Sequence, residues 1–326
     1  MNSLWRPAAA QSVIKARASM LRSIRAFFDE RGIMEVETPL LSRFSTTDIH
    51  LESLPTQFRG GDYFLNTSPE YSMKRLLAEN AAPIYQICKA FRDDELGQYH
   101  NPEFTILEWY RPGFSLSQLM DELALLVTKL GSYYDRTYTF RRMSYQQAFE
   151  TCVGLNPHTA DSSECLQAAK RHQIDIPVGM NTDEKERDNW LDWLLTQLVL
   201  PTFAKEDFTF LYDYPASQAA LSKIETGEAG YPVARRFELL YGEIELANAF
   251  DELTDADEQA KRFEQENQQR LNTGLKCSVV DRYLLSALQA GIVDTSGIAI
   301  GLDRLLMVIS GNFSIEDVLA FPWTRI

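Results

Sequence analysis

The feature that most constrains the fold is a polar, aromatic segment at residues 91–110. Apolar residues on both sides predict two strands joined by a polar loop. Because side chains alternate along a strand, Phe104, Ile106, Glu108 and Tyr110 share one face of the second strand. A carboxylate on a face with aromatic rings suits a cleft that binds a cation. The alternative interpretation is an exposed hairpin with a solvated glutamate.

Acidic residues recur in a second cluster, at residues 235–252. If Tyr241 and Gly242 form a two-residue turn, Glu238 and Glu245 face each other across a hairpin. Directly opposed like charges are destabilising, so this pair indicates a bound cation. Mg²⁺ with ATP phosphates would satisfy it, since Mg²⁺ prefers one or two carboxylates plus phosphate oxygens. Alternatively, the register slips by one residue and both carboxylates face solvent.

Small residues form a third cluster near the C-terminal end, with Gly-Ile-Ala-Ile-Gly at 297–301. The segment leads into a predicted helix that carries Arg304 in its first turn. Glycine permits the close approach of a ligand. A helix N-terminus beside an arginine favours an anion or a flat base. Ordinary packing of a buried strand is the alternative interpretation.

The pattern of apolar residues predicts one sheet-centred domain over 1–326, with a helical insertion at about 112–205. Extended segments are predicted at 36–39, 63–66, 84–91, 104–110, 208–214, 233–249 and 297–300. Helices are predicted at 11–31, 71–78, 115–130, 144–152, 162–172, 184–200, 255–271, 279–290 and 302–310. Neither repeats nor a low-complexity linker interrupt this organisation.

Composition and the absence of common motifs argue against several other classes of protein, although a local basic patch can exist in an acidic chain. An apolar fraction of 45% can bury a full core, and a net charge of −14 gives no basic footprint for nucleic acid. The chain lacks P-loop, dinucleotide-binding, zinc-protease and serine-hydrolase motifs. No uncharged apolar run approaches the roughly 18 residues of a membrane span. The four cysteines have no CxxC spacing, so we expect a cytoplasmic protein with reduced thiols.

Together, the three clusters resemble the signature of class II aminoacyl-tRNA synthetases. Residues 31–41 look like motif 1, the helix-strand element at the dimer interface of that family. Residues 91–110 look like motif 2, and residues 297–304 look like motif 3. The resemblance implies an α+β catalytic fold, with an antiparallel sheet flanked by helices, and a homodimer.

Within this family, the chain most resembles the lysyl branch. The segments that carry this resemblance are Ser-Pro-Glu-Tyr at 68–71, His-Asn-Pro-Glu-Phe-Thr at 100–105 and Glu-Leu-Ala-Asn at 245–248. Motif 1 begins about thirty residues into the chain, so we expect no anticodon-binding domain. This arrangement resembles the truncated lysyl-tRNA synthetase paralogues that ligate (R)-β-lysine to a lysine of elongation factor P. The implied activity is a ligase that forms an amide bond, with ATP cleaved to AMP and pyrophosphate, and Mg²⁺ as cofactor.

The resemblance also implies roles for individual residues. Arg92 and Arg304 would be catalytic, and Glu238 and Glu245 would bind Mg²⁺. The residues implied in ATP binding are Arg92, Asp94, His100, Asn101, Phe104, Glu245, Leu246, Gly301 and Arg304. Those implied in substrate binding are Ser68, Pro69, Glu70, Glu108, Tyr110, Asn248 and Glu252. Strand alternation places Asn248 on the face opposite Glu245 unless the strand bulges.

Two positions depart from the family pattern. Asp94 stands where the family has a glutamate near the adenine amino group, and Ala299 stands where lysyl-tRNA synthetases usually have glycine. One extra methyl group in a pocket changes selectivity by roughly 1–3 kcal/mol. Two other functions remain alternatives: an enzyme that charges tRNA or a small amine, and a non-catalytic regulatory module.

Overall fold

A computed structural model describes residues 5–93, 95–204 and 206–326. Its strands are β1 (Met34–Glu35), β2 (Leu41–Ser42), β3 (Pro55–Phe58), β4 (Gly61–Leu65), β5 (Ile84–Phe91), β6 (Glu103–Pro112), β7 (Phe140–Ser144), β8 (Phe208–Pro215), β9 (Ile224–Thr226), β10 (Pro232–Tyr241), β11 (Ile244–Asp251) and β12 (Thr295–Gly301). Its α-helices are α1 (Gln11–Asp29), α2 (Glu70–Glu79), α3 (Leu116–Gly131), α4 (Tyr145–Cys152), α5 (Ser162–Arg171), α6 (Arg187–Leu194), α7 (Ala256–Asn272), α8 (Arg282–Ala290) and α9 (Leu302–Ser310).

The chain divides into two compact units, the first being the chain up to Arg136 together with Glu252–Ile326. Its main strands run in the order β1-β5-β6-β12, with β6 antiparallel to both β5 and β12. Helix α1 packs its apolar side on these strands, where Phe28 stacks on Tyr85 with ring centroids 4.4 Å apart. A smaller sheet has the order β2-β4-β3.

The second unit is Thr137–Asp251. Its strands run in the order β11-β10-β8-β7, and β9 pairs with β10. Helices α4, α5 and α6 bury a core with these strands that includes Tyr145, Phe149 and Trp190, each with no exposed surface. Capping boxes at Ser144 and Asp161 define where α4 and α5 begin.

Two of the predicted elements differ in the structure. The extended segment expected at 36–39 is instead the short β1 (Met34–Glu35), after which the Val36 N–H makes one more bond to the Tyr85 carbonyl. The helix expected at 184–200 is divided into a 3₁₀ turn, α6 and a π-helical turn at Leu195–Val199. Pro201 follows, and it cannot donate a helical hydrogen bond.

The predicted insertion at 112–205 includes α3, which belongs to the first unit, and α4–α6, which belong to the second. Throughout the described residues, no helix is both long and apolar enough to cross a membrane.

Candidate active site

A buried carboxylate lies at the centre of the first unit. Glu108 on β6 is 2% exposed, and the Tyr110 hydroxyl donates a 2.6 Å hydrogen bond to its Oε1. The residues two apart on β6 therefore share a face, as the alternation predicted. Glu108 Oε2 is buried and has no hydrogen-bond partner among the described residues. A buried, unpartnered carboxylate oxygen is rare, and it indicates a place for a cationic ligand.

Two further carboxylates meet beside Glu108, and a lysine joins them. Glu70 begins α2, and its backbone N–H donates to Ser68 Oγ at 3.2 Å. Lys74 Nζ lies 2.7 Å from Glu70 Oε1 and 2.6 Å from Glu252 Oε2. Both Lys74 and Glu252 are almost completely buried. We name Glu70, Glu108 and Glu252, with Lys74, the acidic pocket.

Burial and neighbouring charges determine the protonation of this pocket. Burial raises the pKa of Glu108 well above its usual value, and the Glu70 carboxylate raises it further, against the Tyr110 hydrogen bond. Burial, followed by the charge on Glu108, also raises the pKa of Tyr110. A cation next to Glu108 would relieve both effects. The pocket is thus suited to bind a positively charged group.

Gly297 on β12 lets the pocket close. It pairs with Tyr110 across the β12–β6 ladder, and Ala299 pairs with Glu108. A Cβ at Gly297 would overlap the Glu252 carboxylate and the Tyr110 ring. The glycine is therefore required by close approach of side chains rather than by its backbone angles.

Arg92 lies where β5 ends and the polar loop begins. Its guanidinium sits 5.0 Å from the centre of the Phe104 ring, and it forms a 3.2 Å ion pair with Glu95. Arg92 Nε is buried without a hydrogen-bond partner among the described residues. An arginine over an aromatic ring presents both a positive charge and a flat surface, as a nucleotide requires.

The position of Arg304, in the first turn of α9, is fixed by contacts of the preceding residue, Asp303. The Asp303 carboxylate accepts a 2.6 Å hydrogen bond from the backbone N–H of Thr105 on β6, and it also pairs with Arg17. Arg304 Nε donates to the carbonyl of Tyr99 in the polar loop at 3.0 Å. The start of α9 is thereby fastened to β6 and to the loop that follows Arg92.

Two further residues of the polar loop, His100 and Asn101, were predicted to bind ATP. His100 forms a backbone bridge with Gly97. Asn101 is 8% exposed, and its amide donates to the Glu103 carbonyl and accepts from the N–H of Trp323. These bonds fix the loop rather than present the amide to a ligand. Asp94 lies outside the described residues.

Two other predicted positions of the first unit, Pro69 and Gly301, lie directly before helices. Pro69 is the residue before α2, and its αR conformation starts the helix that carries Glu70. Gly301 ends β12 and directly precedes α9. Both place a helix N-terminus next to a predicted binding side chain, which favours negatively charged groups there.

The β10–β11 hairpin of the second unit corrects the predicted register. Glu238 pairs with Asn248, and Leu240 pairs with Glu245, so Glu238 and Glu245 are not directly opposite. The turn lies one residue later than predicted, because Tyr241 itself pairs with Ile244. The ladder also shifts between Leu239 and Leu240, so the strand does bulge.

This bulge determines which side chains share a face of β11. Leu239 pairs with Ala247 and Leu240 with Glu245, which leaves Leu246 as the extra residue. Leu246 and Ala247 are both buried, whereas Glu245 and Asn248 are both less buried. Glu245 and Asn248 therefore lie on the same side of β11 despite their odd spacing.

Glu238 and Glu245 remain electrostatically coupled. Burial, then the Glu245 carboxylate, raise the pKa of Glu238 to about 7, although Arg236 opposes the shift. Arg236 also forms an ion pair with Glu238. Among the described residues, no three His, Cys, Asp or Glu side chains gather into a metal site. Two coupled carboxylates nonetheless fit a Mg²⁺ ion whose other ligands are phosphate oxygens.

Sequence reasoning missed three residues that the structure places among these groups: Lys74, Arg236 and Asp303. Lys74 follows Glu70 at the i,i+4 spacing of a helical ion pair, which was a usable signal. Arg236 and Glu238 are two apart on a strand, which places them on one face. Nothing in the local sequence indicates that Asp303 reaches β6.

Comparisons with known proteins identify the family of the chain. A family model described as tRNA synthetases class II (D, K and N) matches residues 3–325. Similar proteins are named elongation factor P–(R)-β-lysine ligase. Those of Pseudoalteromonas translucida and Vibrio atlanticus are each 46% identical to the chain, covering 99% and 100% of both sequences. That of Salmonella arizonae is 44% identical over 98% of both.

The fold class predicted from the sequence is confirmed by the family match and by the mixed α/β structure. A ligase activity is likewise supported by these relatives. The chain belongs to the class II tRNA synthetases of the D, K and N group.

Proposed function

We propose that this protein is an ATP-dependent ligase that activates (R)-β-lysine and transfers it to a lysine side chain of elongation factor P. The structural support for this proposal is the acidic pocket, where Glu108 is buried and its Oε2 has no hydrogen-bond partner in the described part of the chain. Such an oxygen suits the ammonium of a diamino acid. The relatives named for this reaction support the choice of amino acid and acceptor.

The first step joins the amino acid to AMP. The carboxylate of the amino acid attacks the α-phosphorus of ATP, an oxygen–phosphorus bond forms, and pyrophosphate leaves. Negative charge grows on the phosphate oxygens during this step. Arg92 and Arg304 are proposed to stabilise that charge, since fixed cations act most strongly where water is excluded. Phe104 would stack on the adenine, and the acidic pocket would hold the amino groups.

In the second step, the acceptor amine attacks the acyl carbon of the adenylate. An amide bond forms, AMP leaves with the bonding electron pair, and the amine loses a proton to solvent. Glu238 and Glu245 are proposed to hold Mg²⁺, which would neutralise phosphate charge when bound. Asn248, on the same side of β11 as Glu245, is proposed to contact the substrate carboxylate.

Two measurements test the function. Pyrophosphate exchange into ATP, with (R)-β-lysine and α-lysine compared, detects adenylate formation. Mass spectrometry of elongation factor P after incubation, with lysine tRNA offered in parallel, identifies the acceptor. We expect exchange that depends on a diamino acid and on Mg²⁺, followed by modification of elongation factor P. Charging of the tRNA without modification of the protein would contradict the proposal.

We also propose that the protein is a cytoplasmic homodimer that associates through residues 31–41. Two apolar side chains in this segment are exposed, Met34 at 52% and Leu41 at 40%. The resemblance of this segment to motif 1 is the main support for the interface, and these exposed side chains are compatible with it. Light scattering on a size-exclusion column tests this: the Met34→Glu variant should elute as a monomer, whereas a monomeric wild-type protein would contradict the dimer.

A further inference from the structure

Lys74 has an unusual position for a lysine. It lies on α2, one helical turn after Glu70, and is 1% exposed. Its neighbours Met73 and Leu77 on the same helix are also buried. Removing an ammonium from water costs several kcal/mol unless the charge is paired. A lysine that served only to fill space here would be a costly choice.

The charge of Lys74 is retained by its two partners. Burial acts to lower the pKa of Lys74, but the charges of Glu252 and Glu70 outweigh it, so the pKa is raised. One ammonium therefore bridges a carboxylate at the start of α2 and another just before α7. The bridge joins two segments that are far apart in sequence.

Counting charges relates this bridge to the ligand. The three carboxylates of the pocket and the one ammonium of Lys74 give three negative charges and one positive, a net charge of −2 when all are ionised. A diamino acid brings two ammonium groups. These two positive charges offset those of the acidic pocket, which is a condition for placing charged groups in a buried site. The carboxylate of the amino acid is a further negative charge, and it is proposed to lie against Asn248, outside the acidic pocket.

We propose that Lys74 is a positioning residue for the amino-acid substrate: an internal counter-ion that fixes the Glu70 and Glu252 carboxylates and matches the charge of the pocket to one diamino acid. The inference rests on the proposed function, because it assumes that the pocket binds the substrate. In this proposal, Lys74 stays paired with Glu70 and Glu252 when the substrate binds, and the substrate does not displace it.

Removal of the Lys74 charge has a definite consequence. The buried Glu108 and Glu252 and the half-buried Glu70 then repel one another without a counter-ion. This repulsion favours protonation near neutral pH beyond that already expected for Glu108, whose pKa Lys74 helps to lower. The protonated carboxyl is a poor partner for an ammonium until rising pH ionises it. A neutral side chain at position 74 should therefore weaken substrate binding near neutral pH and less so at alkaline pH.

The experiment compares Lys74→Met, Lys74→Arg and Lys129→Met by pyrophosphate exchange across the neutral and mildly alkaline range. Lys129 is the matched control, a lysine ion-paired with the exposed Glu30 in the same unit. We expect Lys74→Met to raise the KM for the diamino acid about 10- to 100-fold, from the loss of one buried charged partner. This KM should fall as pH rises, while the KM for ATP stays within about twofold.

Lys74→Arg keeps the charge and should restore most of the affinity with a pH profile like that of the wild type. If Lys74→Met does not fold, Lys74→Gln carries the same test, because its amide is neutral yet can donate to a carboxylate. A KM within about threefold of the wild type in the neutral variant, or below it, would overturn the proposal. A lower KM is the result expected if the substrate displaced Lys74.

The outcomes separate this inference from the proposed function. A wild-type protein that shows no exchange with any diamino acid removes the proposed function and the role of Lys74 with it. An active wild-type protein whose KM is unaffected by neutral substitution at position 74 overturns only the role of Lys74.

Discussion

Replacing Glu108 with glutamine should weaken substrate binding and stabilise the fold at the same time. The amide keeps an oxygen to accept the 2.6 Å hydrogen bond from Tyr110, so the change is mainly one of charge. Removing one partner of a buried charged pair costs about 2–5 kcal/mol. Because Glu70 and Glu252 remain to attract the ammonium, we take about 2–3 kcal/mol, which corresponds to a rise in KM of about 30- to 150-fold.

The stability effect follows from the raised pKa of Glu108, which burial and then Glu70 cause. The folded protein holds this proton more tightly than the unfolded chain, so the wild-type free energy of unfolding falls as pH rises above the usual carboxyl range. The Glu108→Gln variant has no carboxyl group at this position, so its free energy of unfolding does not fall in this way as pH rises. It should be more stable than the wild type at alkaline pH, by on the order of 1.4 kcal/mol for each unit of raised pKa, and the gain should shrink in acid.

Pyrophosphate exchange gives the KM values, and urea unfolding at several pH values gives the free energies. Glu103→Gln is the control: Glu103 is on the same strand, but it is half exposed and pairs with Lys89 at the surface. A Glu108→Gln enzyme with the KM of the wild type, or one that loses stability at alkaline pH, would refute the reasoning. So would an equal loss of affinity in the Glu103→Gln control.

Three other substitutions test the remaining parts of the site. Arg92→Ala should lower the rate of adenylate formation, measured by pyrophosphate exchange, by roughly 10²–10³-fold, the usual loss of one charge-stabilising donor. A drop under about threefold would remove Arg92 from this role. Gly297→Ala should abolish exchange, because the methyl overlaps Glu252 and Tyr110, while ATP still protects the protein in a thermal shift assay; retained exchange would disprove the close approach. Asp303→Ala should destabilise the fold by roughly 1–3 kcal/mol in urea unfolding, because the partly buried Arg17 and the N–H of Thr105 lose their acceptor; a change within about 0.5 kcal/mol would contradict the role given to this carboxylate.

The parts of the site that follow from a strand's two-residue period were predictable. Glu108 and Tyr110 were placed on one face from the sequence alone, and the hydrogen bond between them confirms it. The family resemblance then brought distant segments into one fold. Neither strand alternation nor the family resemblance depends on knowing how the side chains pack.

Features that depend on tertiary contacts were not predictable in the same way. The predicted turn at Tyr241 and Gly242 was wrong by one residue, because loop length and the bulge together set the register. The ion pair of Lys74 with Glu252 joins α2 to a segment far along the chain. A pattern of spacings records neighbours along an element, and it contains no information about partners that meet only when the sheet forms.

The extra residue in β11 has a consequence for how this hairpin can change. Glu245 and Asn248 are three residues apart, so without the bulge they would point to opposite sides of the strand; deleting Leu246 would shorten that spacing to two, which gives a more evenly bonded ladder and keeps both on one side. A shorter hairpin would thus gain regularity and lose only the local bend and twist that the extra residue gives the strand beside these two polar groups. An added residue between Glu245 and Asn248 would instead turn Asn248 to the other side, so this strand should tolerate the loss of its bulge residue better than the gain of one more.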